Sequence, residues 1–417
     1  MHGGISDPQR ATRSDAPVRA EALIDLDAIR HNVRLLAARA AGSGAATLVA
    51  VKADAYGHGA VPVARAAVEA GAAWLGSCSV AEALALRAAG IEVPVLAWLD
   101  LPGTDRAPAI TAGIDLGASS PAEFDVVAEA AGRADRPARV HLKIDTGLSR
   151  NGCPAEDWPE LVRRARQAAD AGRVEVVAVW SHLACADEPG HPSVDAQARR
   201  FDLAYREARA AGLNPLRHLA NSAATMTRPD LHFDLVRVGI ASYGLGVLAD
   251  PLPGSIATAP SPGPADLRPA MTFRSSVVST KRVAAGEGVS YGLTWVAERD
   301  TTLALVPVGY GDGVPRTLSG RLSVWLAGAR RPVVGRVSMD QIVVDCGDHP
   351  IEPGAEVILF GPGTHGEPTA GEWADLLGTI DYEIVTGMYR PRLMRRYLHR
   401  TPAAESRPAT RSGEPAI

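Results

Sequence analysis

Eight short apolar runs, separated by segments of helical period, constrain the fold of this chain more than any other feature. The intervening segments, such as Val80–Ala89 and Ala196–Ala211, have the apolar spacing of helices that pack against a sheet. Eight strand–helix units in succession predict a closed parallel (β/α)8 barrel of the TIM type, with a doubly wound open sheet as the competing architecture. The eight runs are Thr47–Lys52, Trp74–Ser79, Val93–Leu99, Ile114–Ser119, Val140–Asp145, Glu175–His182, Leu216–Ser222 and Leu235–Ile240.

The pattern changes after Asp250. The stretch DPLPGSIATAPSPGPADLRP holds six prolines and two glycines, a composition typical of a connection between domains. Beyond it, apolar runs alternate with turns and predict a smaller, mainly β domain with one helical piece, Gly371–Leu377. The predicted organisation is a disordered extension (1–19), the barrel (20–249), the proline-rich connection (250–270), the β domain (271–400) and a disordered tail (401–417).

Composition excludes several classes of protein. The chain is 46% hydrophobic and 22% charged, which is enough apolar surface for a packed core. The net charge of −4 supplies no basic surface for nucleic acid. No apolar run approaches the roughly 20 residues of a membrane helix, and the first residues lack the apolar core of a signal peptide. The four cysteines form no CxxC pattern. We therefore expect a cytoplasmic protein without a metal site, a nucleic-acid partner or a membrane partner.

Lysine is scarce in this chain. Only three of the 43 basic residues are lysines, namely Lys52, Lys143 and Lys281. A retained lysine is a candidate for chemistry that arginine cannot perform, because only the amine can lose its proton and add to a carbonyl. Lys52 and Lys143 both fall at the carboxyl ends of predicted barrel strands, where the active site of such a barrel lies.

Other polar residues fall at the same rim. His182 and Asn221–Ser222 end two later runs, and Arg237 immediately precedes Gly239–Ile240. In these barrels a phosphate site is commonly built after the seventh and eighth strands, and small residues allow the main chain to approach the phosphate closely. A lysine that faces such a pocket, with a histidine and an arginine beside it, indicates pyridoxal phosphate.

The motifs along the chain resemble those of the alanine racemases. In the order of that family they are AVKADAYGHGA around Lys52, HLKIDTGLSRNG, WSHLACAD, HLANSA, VRVGIASYG, GEGVSYG, GYGDG and GRVSMDQ, and they cover residues 21–392. The resemblance implies a barrel that binds pyridoxal 5′-phosphate, a β domain and a head-to-tail homodimer with shared active sites. The implied reaction interconverts L-alanine and D-alanine and supplies D-alanine for peptidoglycan.

The resemblance also implies roles for individual residues. Lys52 would hold the cofactor and act as one base, and Tyr291 of the partner subunit would act as the opposite base. His182 would hydrogen-bond Arg237, which would face the pyridine nitrogen. The other cofactor contacts, most of them to the phosphate, would be Tyr56, Asn221, Ser222, Gly239, Ile240 and Tyr389.

The substrate and entrance residues follow from the same resemblance. Arg150 and the backbone N–H of Met339 of the partner subunit would hold the substrate carboxylate. Lys143 matches a lysine that is often carbamylated in this family and would brace Arg150. The entrance would be lined by Asp187, Tyr310, Arg316 and Arg336.

The chemistry of racemisation agrees with two bases. A proton must leave one face of the α-carbon and return to the other, so the bases must flank the cofactor plane. An arginine beside the pyridine nitrogen keeps its own proton. The ring nitrogen then stays largely unprotonated, which makes the ring a weaker electron sink and, as our hypothesis, disfavours transamination.

Some positions depart from the usual family pattern. Asn151 stands where leucine is frequent, Ser338 where cysteine is frequent, and Gly387 where a larger entrance residue is usual. A glycine at the entrance favours a broader amino-acid racemase as an alternative. Two further alternatives are a pyridoxal-phosphate barrel decarboxylase, which would need a catalytic cysteine near the C-terminus, and a non-enzymatic protein that only binds the cofactor.

Overall fold

The structure is a computed structural model that describes residues 19–134, 136–246 and 266–398. The predicted disordered extension and tail lie outside these ranges, apart from Arg19, as does most of the proline-rich connection. Within the described ranges, no helix is long and apolar enough to cross a membrane.

All eight runs of the first region form parallel strands. Their hydrogen-bonded order is β8-β7-β6-β5-β4-β3-β2-β9. The two end strands are joined by backbone bonds from Asp234 N to Arg217 O (3.1 Å) and from Arg237 N to Ala220 O (2.9 Å), so the sheet closes into a barrel and a doubly wound sheet is excluded. The strands are β2 (Ala46–Ala50), β3 (Trp74–Ser77), β4 (Val95–Ala97), β5 (Asp115–Ala118), β6 (Ala138–Lys143), β7 (Val174–Trp180), β8 (Leu216–His218) and β9 (Leu235–Val238).

Helices surround the barrel and bury one apolar face each. In α4, for example, Ser79 caps the N-terminus, the Glu82 side chain returns to the Ser79 backbone, and Val80, Ala83 and Leu86 are buried. The helices are α1 (Leu26–Ala41), the single turn α2 (Lys52–Tyr56), α3 (Ala60–Glu69), α4 (Val80–Ala88), α5 (Ala107–Thr111), α6 (Pro121–Ala134), α7 (Trp158–Asp170), α8 (Pro192–Ala210) and α9 (Ser222–Thr227).

The second region is mainly β, as predicted. Its strands form a nine-stranded sheet in the order β11-β14-β17-β16-β15-β18-β10-β1-β19, with a separate hairpin of β12 and β13. The elements are β1 (Glu21–Asp25), β10 (Met271–Ser276), β11 (Ser279–Val283), β12 (Gly288–Val289), β13 (Trp295–Val296), β14 (Thr301–Val306), β15 (Ser323–Leu326), β16 (Ala329–Val334), β17 (Ile342–Asp345), β18 (Glu356–Phe360), β19 (Met394–Leu398), α10 (Ala370–Leu377) and α11 (Asp381–Thr386).

Strand β1 corrects the expected start of the barrel segment. The sequence placed residues 20–25 in the barrel, whereas β1 pairs antiparallel with β10 and parallel with β19 in the second sheet. Glu21 is fully buried there and forms ion pairs with Arg274 and Arg396, on those two neighbouring strands. The cations that compensate the buried carboxylate lie more than 250 residues away in the sequence, so local patterning could not indicate them. The other domain limits stay predictions.

Candidate active site

A cavity of about 470 Å³ opens at the carboxyl ends of the barrel strands. The strand ends alone supply most of its polar side chains, because all parallel strands finish at the same rim. Its lining residues are Ala50, Lys52, Ala53, Tyr56, Trp98, Lys143, Arg150, Trp180, His182, Asn221, Ser222, Arg237, Gly239, Ile240, Ile380, Tyr382 and Thr386. The structure therefore brings together every predicted cofactor residue except Tyr389, together with the predicted substrate arginine.

The turn that follows Lys52 has an unusual backbone. Residues 53–56 all adopt the left-handed helical conformation, with φ between 51° and 53°, although none of them is glycine. Such a conformation costs ~1–2 kcal/mol for each residue with a Cβ. It is held by hydrogen bonds from Ala53 N to Glu82 Oε1 (2.8 Å) and from Ala60 N to Asp54 Oδ1 (2.8 Å). An ion pair between Asp54 and Arg395 also connects the turn to β19.

The two cavity lysines lie in a cationic environment. Burial lowers the pKa of the Lys52 amine, and the nearby Arg150 guanidinium acts in the same direction. Burial, Arg237 and Arg150 lower the pKa of Lys143 to about 8. The Lys143 ammonium donates to Asn151 Oδ1 (2.6 Å) and lies 4.4 Å from the centre of the Trp180 ring. The cavity thus favours an anionic ligand and contains amines that lose their protons more readily than usual.

Arg237 is held from behind by the barrel. Its Nη1 donates to the His218 carbonyl (2.8 Å), and its Nη2 donates to the Ser181 carbonyl (2.7 Å). Nη2 also lies 3.3 Å from His182 Nδ1, which is the contact that the family resemblance implies. Within the described ranges, the Nε–H of Arg237 has no hydrogen-bond partner, and the side chain lines the cavity. This N–H is therefore left for a ligand.

The corner between β8 and β9 is shaped for a close approach of the main chain. Gly239 N donates to Ser222 Oγ (2.8 Å), which leaves the Ser222 hydroxyl proton available to a ligand. A Cβ atom at Gly239 would lie 2.5 Å from the Tyr56 hydroxyl, so the corner requires glycine. Burial raises the pKa of Tyr56 to about 12, so this hydroxyl remains a donor at neutral pH. Hydroxyl donors in a cationic cavity fit the phosphate of pyridoxal phosphate.

Tyr389 does not occupy the predicted phosphate position. Its side chain is 64% exposed and stacks under Arg395, outside the cavity of its own chain. Tyr382 lines the cavity instead, with its ring 5.9 Å from that of Tyr56. The reason is the short helix α11, which turns Tyr382 inward and ends at Thr386, so the chain has already left the cavity when it reaches residue 389.

The predicted entrance residues lie in two parts of the chain, one in the barrel and three in the β domain. Asp187 lines a second cavity of about 810 Å³ that shares Arg150, Ser222 and Tyr382 with the first. The remaining ones belong to the β domain, together with Tyr291 and Met339. Tyr291 is 70% exposed, Met339 52% and Tyr310 40%.

These β-domain residues form one local group in the chain. Ser290 Oγ donates to the Arg336 carbonyl (2.8 Å), and Tyr310 N donates to the Ser338 carbonyl (3.0 Å). Val337 N donates to Ser319 Oγ (2.9 Å), next to the turn that carries Arg316. None of Tyr291, Tyr310, Arg316, Arg336 and Met339 lines the cavity that holds Lys52 in the same chain.

The comparison with protein families decides the family. The model described as "Alanine racemase, N-terminal domain" matches residues 24–247, and "Alanine racemase, C-terminal domain" matches residues 270–397. The chain belongs to the alanine racemase family. It is therefore an enzyme of the racemase class.

Individual alanine racemases are similar over nearly the whole chain. The alanine racemase of Thermobifida fusca is 55% identical over 89% of this chain and 96% of its own length, and that of Salinispora arenicola is 53% identical over 91% and 98%. The alanine racemase structure from a D-cycloserine-producing Streptomyces lavendulae superposes with a TM-score of 0.85 at 51% identity. It covers 92% of this chain and 98% of that chain.

Sequence reasoning missed several residues of the cavity. Tyr382, in the run TIDYE, was not among the predicted residues, because the resemblance was carried over to Tyr389 in VTGMYRPR, a stretch that is compressed relative to the common family pattern. Trp180 is the first residue of the WSHLACAD motif, and it supplies the ring over which Lys143 and Arg237 both lie. Glu82 carried no signal beyond helix capping, because its contact with Ala53 depends on the packing of two loops.

Proposed function

We propose that this chain interconverts L-alanine and D-alanine with pyridoxal phosphate as cofactor. The observation that carries the proposal is the cavity at the barrel rim, where Lys52, Arg150 and Arg237 face one space with the Tyr56 and Ser222 hydroxyls. An amino-acid substrate on this cofactor requires three groups. They are an amine that binds the cofactor covalently, a cation that binds the substrate carboxylate, and a set of donors that holds the phosphate. When bound, pyridoxal phosphate supplies an electron sink for the electrons of the Cα–H bond.

The residues present fit this group. The Lys52 amine would hold its aldehyde carbon, and the phosphate would lie against Tyr56, Ser222, Tyr382 and the main chain at 239–240. The unpartnered Nε–H of Arg237 would face the ring nitrogen. An arginine there donates a hydrogen bond without giving up its proton, so the ring nitrogen remains largely unprotonated. Asn221 caps α9 by accepting from Ala224 N (3.0 Å), which fixes the loop that carries Ser222.

Two bases would carry the proton across the plane of the substrate. Lys52 would remove or return the proton of Cα on one face, and Tyr291 of the partner subunit would act on the other. The guanidinium of Arg150, exposed at the mouth of the cavity, would bind the substrate carboxylate with Met339 of the partner subunit. A lysine whose pKa is lowered by burial exchanges protons with carbon more readily than an exposed lysine.

The same chain cannot supply both bases, so we infer a homodimer with shared sites. Tyr291 stands exposed on the β domain and does not line the cavity of its own chain. A head-to-tail pair would bring the group of Tyr291, Tyr310, Arg316, Arg336 and Met339 of the partner subunit to the mouth beside Asp187. Tyr389, exposed on its own chain, would then belong to the rim of the entrance.

Lys143 is a candidate for carbamylation in this proposal. Its lowered pKa increases the fraction of neutral amine, which is the form that adds to the carbon of CO2. The modification would replace one cation among several with an anion that Arg150 can pair with. We expect the mass increment of one carboxyl group on the peptide that contains Lys143, and its loss in Lys143→Arg.

The deciding experiment is incubation of the protein and its cofactor with L-alanine in heavy water. Deuterium should appear at Cα together with D-alanine, and both should vanish in Lys52→Ala. Exchange without inversion would contradict the second base, and bound cofactor without exchange would leave only a carrier of pyridoxal phosphate. A parallel series of larger L-amino acids tests the broader-racemase alternative that Gly387 suggests.

The place of the reaction in the cell follows from its product. D-alanine is a component of peptidoglycan, so we propose that a cytoplasmic enzyme of this kind supplies it for the cell wall. A decarboxylase is disfavoured by Cys346, which is 1% exposed at the end of β17 and donates to the Val344 carbonyl rather than facing a cavity.

A further inference from the structure

A line of buried polar side chains runs through the barrel interior behind Arg237. Arg237 Nη1 lies 3.1 Å from His218 Nδ1, and His218 Nε2 lies 3.0 Å from His141 Nδ1. His141 Nε2 lies 3.2 Å from Asp115 Oδ2. Both histidines and Asp115 have no exposed surface. The line starts at Asp115, the first residue of β5, at the end of the barrel opposite the cavity.

The two ends of this line determine the direction of every hydrogen bond in it. Arginine only donates and a carboxylate only accepts. Arg237 must therefore donate to His218 Nδ1, so His218 carries its proton on Nε2 and donates to His141. His141 in turn carries its proton on Nε2 and donates to Asp115. Both histidines are neutral and have the same tautomer.

The protonation of the separate groups agrees with this direction. Burial and the neighbouring Arg237 hold the pKa of His218 well below its usual range. Although burial acts to raise it, hydrogen bonds from His141 and Arg139 lower the pKa of Asp115. Arg139 Nε lies 2.6 Å from Asp115 Oδ1, which balances the charge of the carboxylate at the outer end. The carboxylate of Asp115 is therefore ionised, and His218 is neutral.

The line of polar side chains lies beside an apolar part of the barrel interior. Apolar side chains fill the same interior next to it, where Leu48, Leu96 and Leu235 form one cluster. Burying two histidines and a carboxylate costs free energy unless each is fully hydrogen-bonded. At the far end of the line is Arg237, whose guanidinium lines the cavity.

We propose that Asp115, His141 and His218 are positioning residues that hold Arg237 protonated and keep its Nε–H directed at the ring nitrogen of the cofactor. The inference rests on the proposed function and names residues that reach the cofactor only through Arg237. If either histidine changed tautomer, an N–H would face a donor, and the guanidinium would have to rotate. The negative charge of Asp115 polarises the successive hydrogen bonds toward Arg237. Burial lowers the pKa of Arg237 to about 9, so support from this charge matters more than at an exposed arginine.

Two variants and one matched control test the line of Asp115, His141, His218 and Arg237, which we call the relay. Asp115→Asn keeps the shape but removes the charge, and His218→Phe keeps a ring against Trp180, on which His218 stacks with ring planes 6° apart. The control is Trp74→Phe, which removes a hydrogen bond of 3.1 Å to the same Oδ2 of Asp115 but leaves the relay complete. All three variants should lose some stability.

The expected result separates positioning from a merely structural role. Both relay variants should change the absorption spectrum of the bound cofactor, which reports protonation at its ring nitrogen, and should lower kcat by about tenfold with little change in KM. Trp74→Phe should leave the spectrum and kcat unchanged. Relay variants that lose stability but keep the unaltered spectrum would overturn the proposal.

A measurement on the unaltered protein tests the proposal even if the variants do not fold. Nitrogen-15 NMR of the apoprotein should find both buried histidines neutral with the proton on Nε2. A proton on Nδ1 of either, or a charged ring, would overturn the relay even if every variant failed to fold. If the unaltered protein fails to bind the cofactor while its histidines have the expected tautomer, the proposed function fails and the hydrogen-bond line stands.

Discussion

The scarcity of lysine was informative because amine chemistry cannot be transferred to arginine. Lys52 and Lys143 lie in the cavity, whereas Lys281 is exposed on β11 in the second sheet. Two independent signals, residue type and position at a strand end, selected the same two residues. Tyr389 had one signal only, the family resemblance, and the structure places it outside the cavity of its own chain.

At the residue scale, His58 predicts acid sensitivity. It is fully buried next to the charged pair Asp54 and Arg395, and burial lowers its pKa from the usual 6.5 to about 4. The unfolded chain binds this proton more tightly, so the contribution to stability is complete above pH 6.5 and is lost as the pH falls toward 4, by about 3 kcal/mol in total. Between pH 4 and 6.5, the slope of the free energy of unfolding against pH should be smaller in His58→Gln, by an amount that corresponds to at most one bound proton. His349→Gln, at an exposed site, should keep the slope.

Gly239 gives a second prediction at this scale. In Gly239→Ala the new methyl group would collide with the Tyr56 hydroxyl at 2.5 Å, and overpacking of this kind costs about 1–3 kcal/mol. The dissociation constant of pyridoxal phosphate should rise by at least about tenfold, measured by fluorescence quenching. The control is Gly132→Ala in α6, where a Cβ meets nothing within 4 Å, and affinity should be unchanged. Equal affinities in the two variants would contradict the assignment of this corner.

At the scale of elements, the left-handed turn after Lys52 explains how the proposed catalytic lysine is held in place. Four strained residues persist only when surrounding contacts determine their conformation. Glu82 supplies one of these contacts from the first turn of α4, since its Oε1 accepts from Ala53 N while its Oε2 accepts from Cys78 N (2.7 Å). The lysine is thereby positioned by a neighbouring strand–helix unit.

Glu82→Gln should therefore misplace Lys52. The carboxylate accepts from the backbone N–H groups of Ala53, Cys78 and Ser79. An amide has one oxygen, so at least one of these three N–H groups must face an NH2 group instead. We expect kcat to fall by about tenfold to a hundredfold, since small displacements of a reacting group have effects of this size. Ser79→Ala is the matched control, because it removes the cap of α4 but keeps the bond to Ala53; it should cost about 1 kcal/mol of stability and little activity. Equal losses of activity would show that only the helix cap matters.

Elements were predicted well where periodicity was strong. All eight barrel strands were found, although β8 ends at His218 rather than Ser222, because the residues after it leave the sheet and Ser222 begins α9. The left-handed turn had no clear signal, since three of its four residues are Ala or Tyr, which do not favour positive φ. Helix α11 is six residues long, too short for a periodic pattern, and its omission led to the wrong placement of Tyr389.

At the scale of the whole molecule, the separation of Lys52 from Tyr291 would leave a single chain without one of its two proposed bases. The proposed dimer is tested by mixing two inactive variants, Lys52→Ala and Tyr291→Phe. One of the two sites in each hybrid dimer should contain both native residues, so activity should return on co-refolding. Hybrids that are proven by mass spectrometry but remain inactive would contradict the cross-subunit assignment. Co-refolding of Lys52→Ala with Lys52→Ala,Tyr291→Phe is the control that should stay inactive.

Strand β1 lies between β10 and β19, two strands that follow much later in the chain. During synthesis the barrel is complete long before Met394–Leu398 leave the ribosome, and until then β1 has one unpaired edge. A nascent chain that stops before residue 394 would keep an intact barrel but expose this edge, together with the Glu21 carboxylate that Arg396 covers. Limited proteolysis should therefore cleave at β1 more readily in chains that stop before residue 394 than in chains that contain β19.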